Sequence, residues 1–136
     1  MSKGNTYEND ILAAVFHGTA FSWTANSYFY VALHSADPGE GGDQTTNEIS
    51  YTGYARVQVI RTSAGWTISG NQVSNTVIVQ FGACTAGSAT ATYASVGTAS
   101  SGAGQILYSG ALTAGLAISA PIAPNFPVGT LVMTED

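Results

Sequence analysis

Charge is what this chain most conspicuously lacks. Residues 62–134, 73 in a row, contain no Asp, Glu, Lys, Arg or His. General acids and bases, metal ligands and phosphate clamps need ionisable groups. That half of the chain offers only Cys84, Tyr93 and Tyr108, with hydroxyls and amides. Cations are scarcer still: Lys3, Arg56 and Arg61 are the full set, against a net charge of −5. Three cations are too few for a nucleic-acid footprint or for an anionic membrane surface. The single cysteine, Cys84, forms no intrachain disulfide and builds no zinc site alone; a buried, inert thiol is the expectation. No apolar run approaches the roughly 20 residues of a membrane helix. Residues 1–10 lack the basic-then-apolar order of a secretion signal, so synthesis and assembly in a cytoplasm are expected.

What remains is apolar and small. The chain has 136 residues, of which 45% are hydrophobic and 8% charged, against about 25% charged in ordinary domains. It carries 16 Gly, seven Tyr, five Phe and two Trp. Low charge with high hydrophobicity is not a disordered composition. The length suits one domain, 1–136, with a real core. A soluble domain normally keeps a mixed charged surface. A chain this bare is expected to cover surface with copies of itself, as a dimer or trimer, or with a partner.

The N-terminal arm, 1–18, reads as one short helix over residues 6–17. Asn5 and Glu8 have capping-box spacing. Tyr7, Ile11, Leu12, Val15 and Phe16 form an apolar stripe that predicts docking on a sheet. His17 suits the helix C-terminal dipole and Gly18 the stop. Beyond it the period changes to two. Phe29, Val31 and Leu33 alternate with Tyr28, Tyr30, Ala32 and His34, and similar patterns cover 54–61 and 76–81. Weaker strands are expected at 65–69, 89–96, 105–111, 116–122 and 130–134, with a hairpin at Gly70-Asn71. Pro121, Pro124 and Pro127 make the last strands irregular. About eight short strands with frequent turns give an all-β fold; strand count alone does not choose between sandwich, jelly roll and small barrel, and a single β-sandwich or jelly-roll-like domain with one short N-terminal helix is expected.

The long acidic loop, 35–50, concentrates four of the eight acids: Asp37, Glu40, Asp43 and Glu48. Ala36-Asp37-Pro38-Gly39 is a turn. Three readings stand open: a solvated loop, a contact loop that grips a partner, or oxygen ligands around a calcium ion, whose spacing matches no EF-hand. No metal and no cofactor is assigned. Arg56 and Arg61 are expected either to pair with this loop or a neighbour or to serve an ordinary surface role. His34, near Asp37 and many serines, suggests a Ser-His-Asp set, but no Gly-x-Ser-x-Gly elbow exists and a structural role is expected. The cluster Phe21, Trp23, Tyr28, Phe29 and Tyr30 fits core or interface packing better than sugar stacking.

The run Tyr30-Val31-Ala32-Leu33-His34-Ser35-Ala36-Asp37-Pro38-Gly39-Glu40, continuing through Gly42-Asp43-Gln44-Thr45-Thr46-Asn47-Glu48 to Tyr51-Thr52-Gly53-Tyr54-Ala55-Arg56, resembles a family of small tailed-bacteriophage structural proteins. Its members carry tail-fibre or head-decoration labels. The resemblance spans roughly residues 7–81 and is most specific in the loop. It implies a virion component rather than an enzyme, and it carries over no catalytic residues. The compact single domain favours a capsid decoration (cement) protein on the capsid exterior, bound to the major capsid protein. Its expected contacts are Tyr7, Asp37, Pro38, Glu40, Asp43, Glu48, Arg56 and Arg61. The alternative is a tail-fibre or tail-tip module for a host receptor or glycan, which predicts a solvent-facing aromatic groove. A small hydrolase would need a concave site with perturbed ionisable groups.

Overall fold

The period-two segments do form strands, and a large sheet faces two smaller ones across the core. The computed structural model describes residues Met1–Asp136. In chain order the elements are β1 (Ser2–Lys3), α1 (Asn5–His17), β2 (Tyr28–His34), β3 (Val57–Ile60), β4 (Trp66–Ser69), β5 (Gln72–Asn75), β6 (Val79–Gln80), β7 (Ser88–Gly97), β8 (Ile106–Ser119), β9 (Asn125–Phe126) and β10 (Val132–Thr134). A five-stranded sheet runs β1-β8-β7-β2-β3, a three-stranded sheet β10-β5-β4, and β6 pairs with β9. All pairings are antiparallel. The all-β sandwich expected from the alternation is therefore what the chain forms.

The core lies between the layers. Val31, Leu33, Val59, Ala91, Ala94, Val96 and Ile118 come from the large sheet; Phe81, Leu131 and Met133 face them. Cys84 is buried with them, as its composition suggested. β2 lies between β7 and β3, and its second face is covered as well: Ala32 and His34 are fully buried. The cover on that side is the 35–50 loop. Gln44, with no exposed surface, reaches in, its Oε1 accepting from the Ala99 N–H at 2.9 Å. The Thr46 carbonyl meets His34 Nδ1 at 2.8 Å.

Several local expectations differ from the structure. The capping box is absent. The N-cap is Gly4, in extended conformation and with no side-chain cap. β1 runs straight into the helix, and a Cβ on Gly4 would lie 2.5 Å from the Ile106 carbonyl oxygen, so no capping side chain fits. The Asn5 N–H instead donates to the Glu40 carbonyl at 2.8 Å, so the loop itself caps the helix. Gly18 does end the helix, in the left-handed region at φ 66°.

The apolar stripe of α1 splits. Tyr7 and Ile11 are half-buried, but Leu12, Val15 and Phe16 are 56, 67 and 77% exposed, and no helix residue is fully buried. The segments at 105–111 and 116–122 are one long strand, β8, interrupted where Ala91 pairs with Leu116 but Tyr93 with Ala111. The extra residues bulge out opposite Thr92, which breaks the period. Only Val79–Gln80 of the 76–81 segment pairs, because Asn75 Nδ2 takes the Val77 carbonyl at 2.7 Å.

Candidate functional site

An open cleft of about 640 Å³ lies where the two sheets part. One wall is a cross-strand row on the small sheet, Ile68 beside Val73 beside Met133. The opposite wall comes from the large sheet: Phe29, Val96, Leu107 and Tyr108, with Val96 and Tyr108 paired across β7 and β8. Trp66 joins the lining from β4 and Tyr7 from α1. Register and alternation put Phe29, Val96 and Tyr108 on one face of the large sheet; Leu107, next to Tyr108, joins the lining where the β7–β8 register shifts.

Aromatic rings pave one end. Phe21 stacks on Trp23 at 4.5 Å, Trp23 meets Phe29 edge-on at 5.3 Å, and Tyr7 meets Tyr108 edge-on at 5.6 Å. The buried indole N–H groups of Trp23 and Trp66 have no hydrogen-bond partner. The Arg61 guanidinium lies 4.9 Å over Trp23 and 5.4 Å over Phe29. Its Nη1 donates to the Thr24 carbonyl at 2.8 Å and the Asn26 carbonyl at 3.3 Å. The other two cations are spent on carboxylates, Lys3 on Glu135 and Arg56 on Glu48. Arg61 is thus the one cation with no acid of this chain against it, and it lines the cleft.

The sequence-based contact set divides between two places. Tyr7 and Arg61 belong to the cleft. Asp37, Pro38, Glu40, Asp43 and Glu48 belong to the loop and Arg56 packs against it, and much of their chemistry is directed inward. Asp37 Oδ1 accepts the Gly39 N–H at 2.8 Å, and Asp43 Oδ1 the Thr45 N–H at 2.7 Å. The Thr45 hydroxyl and N–H hold the Asp43 carboxyl below the usual carboxylate range. Glu48 receives Arg56 Nε at 2.9 Å and Nη2 at 2.6 Å, while Arg56 also reaches the Ala99 and Gly102 carbonyls. Pro38 is buried; Asp37 and Glu40 stay exposed. No three of the His, Cys, Asp and Glu side chains come together as a cation cage.

His34 sits 2.8 Å from Ser95 Oγ, both fully buried. Its other nitrogen faces a carbonyl, which accepts only, so Nδ1 carries the proton and Nε2 accepts from Ser95. Burial pushes the imidazole pKa down, against the opposing pull of the Thr46 carbonyl. The ends of the chain are tied by chemistry the sequence could not pair: Glu135 takes Lys3 and the Tyr108 hydroxyl, and these bonds hold its carboxyl pKa down. Burial, then the bond to Glu135, raises the Tyr108 pKa.

Two buried amides also escaped sequence reasoning. Gln44 anchors the loop, and Asn75 binds the Val77, Phe126 and Pro127 carbonyls and the Leu131 N–H. The cleft-lining Val73, Trp66 and Met133 were likewise unmarked. Their only signal was strand alternation, which does not say which inner-face residues a neighbouring strand leaves uncovered.

The chain is thus an all-β sandwich with an open, aromatic-lined cleft, and several of its ionisable groups tie its own chain together. The family model described as Podophage GP4 fiber I protein gp80 matches residues 2–134, and the chain belongs to that family of bacteriophage structural proteins. No curated protein matches the chain significantly. No helix is long and apolar enough to cross a membrane.

Proposed function

We propose that the chain is a structural subunit of a bacteriophage fibre, joined to the virion by protein contacts and using the aromatic cleft as its recognition site. The family match across residues 2–134 carries this reading. The cleft supports it, because a solvent-facing aromatic groove is what the fibre alternative required and a cement role did not. The surface of the charge-free half supports assembly: Ile68, Ile78 and Val128 are each at least half exposed, and such apolar surface marks contact sites. The reading makes the chain a binding component rather than a catalyst, in keeping with the sealed His34–Ser95 pair.

Capsid decoration is the second reading. The sequence resemblance includes decoration proteins, and the exposed carboxylates of Asp37 and Glu40 offer a shell protein an acidic face. The two readings differ in stoichiometry. Quantitative mass spectrometry of purified virions, scaled to the major capsid protein, separates them. A fibre subunit is present at a small multiple of the tail symmetry; a cement protein approaches the copy number of the capsid subunits.

A further inference from the structure

We infer that the cleft receives the outer face of helix α1 from a second copy of this chain. Two unpartnered surfaces carry the inference, and they match. On α1 the inner face, Tyr7, Asp10, Ile11 and Ala14, leans on the body of the protein, with Asp10 accepting from Gln105 at 2.9 Å. The outer face shows Glu8, Leu12, Val15 and Phe16, spaced so that they line one side of the helix. Three apolar side chains more than half exposed, next to one carboxylate, form the anchor pattern of a helix that lies in a groove.

The cleft is the complement. Ten of its thirteen lining residues are hydrophobic, and Arg61 is the chain's one cation without a carboxylate. Arg61 Nη1 is held by two carbonyls, whereas its Nε and Nη2 make no hydrogen bond within the chain. That leaves an oriented fork for a carboxylate, which Glu8 of the incoming helix supplies. The volume of about 640 Å³ suits side-chain anchors. A glycan fits less well. Sugars need several free polar partners; beyond Arg61, Thr62, Ser63 and the Tyr7 hydroxyl, the Tyr108 hydroxyl is taken by Glu135 and the indole N–H groups of Trp23 and Trp66 are buried.

Helix face and cleft are different surfaces, so the contact is head-to-tail. Repeated, it builds a ring or a filament rather than a two-fold dimer. The inference rests on the cleft being a recognition site, not on where in the virion the chain resides.

Sedimentation of the purified full chain tests it, with two variants at exposed positions that leave the core intact. Phe16→Glu spoils the helix face and Ile68→Glu spoils the cleft lip. Wild type is expected to self-associate. Each variant alone is expected to associate at least about tenfold more weakly, as when a central anchor is lost. Mixed together they are expected to regain a dimer that grows no further, since one supplies a sound cleft and the other a sound helix. A monomeric wild type overturns the inference. So does an Ile68→Glu variant that associates like wild type, which would mean helix meets helix. A monomer that binds a glycan through Ile68 and Arg61 overturns it in favour of a receptor. None of these outcomes alters the stoichiometry in virions, which tests the fibre reading separately.

Discussion

Removing the Arg56 side chain is expected to cost about 3 kcal/mol of folding stability, the low end for breaking a buried ion pair from one side. The figure follows from the geometry. The Arg56 side chain is 3% exposed and that of Glu48 18%, so water cannot replace the lost partner freely. Arg56 makes a two-nitrogen contact with Glu48 and donates to the Ala99 carbonyl at 3.0 Å and the Gly102 carbonyl at 2.8 Å. Arg56→Ala therefore strands one carboxylate and two carbonyls, and frees the 35–50 loop from the turn before β8. Glu48→Gln keeps an acceptor and loses only the charge assistance, so about 1–2 kcal/mol is expected. For a domain of this size, 3 kcal/mol corresponds to a Tm loss of roughly 10 °C. Urea titration with a thermal melt, and the double variant to close the cycle, measures both losses and their coupling. An Arg56→Ala loss under about 1 kcal/mol, halved again in high salt, would refute the reasoning: the pair would then be behaving as an exposed, screened bridge.

Asn75→Ala removes four hydrogen bonds, three that join β5 to the 126–131 segment and one to the Val77 carbonyl; a loss of about 2–4 kcal/mol is expected by urea denaturation, with faster hydrogen exchange at Leu131. His34 gives a pH signature. Its folded pKa lies below the ordinary 6.5, so the unfolded chain binds the proton first, and stability should fall as pH drops below about 6.5. Imidazole NMR shifts check the cause, since His34 should remain neutral where an ordinary histidine is half protonated; titration at or above 6.5 contradicts it. Cys84 is 1% exposed in the core, so native protein should resist thiol reagents that label it fully in urea.

The sequence disclosed what is local. Alternation in 28–34 placed β2, Gly70-Asn71 placed the β4–β5 hairpin, and Gly18 ended α1. The features it concealed depend on partners distant along the chain. Leu12, Val15 and Phe16 read as a docking stripe, because periodicity reports that a face is apolar and not whether this chain covers it. The acidic loop stood open between a solvated, a partner-gripping and a calcium-binding reading, because the inward turn of Gln44 and Glu48 rests on Ala99 and Arg56, distant along the chain. The cleft gathers Ile68, Val73 and Met133 from three strands, a row that exists only once register is set. Of the expected contact residues, Tyr7 and Arg61 fall in this cleft and the other six in the loop region, a division no spacing in the sequence announced.

We have proposed that this chain is a fibre subunit. Cryo-EM of intact virions, with the β-sandwich fitted to every unassigned density, tests it most directly. The fold is expected in fibres attached to the particle and not on the capsid shell. Copies seated on the shell between major capsid protein subunits would contradict it and restore the decoration reading.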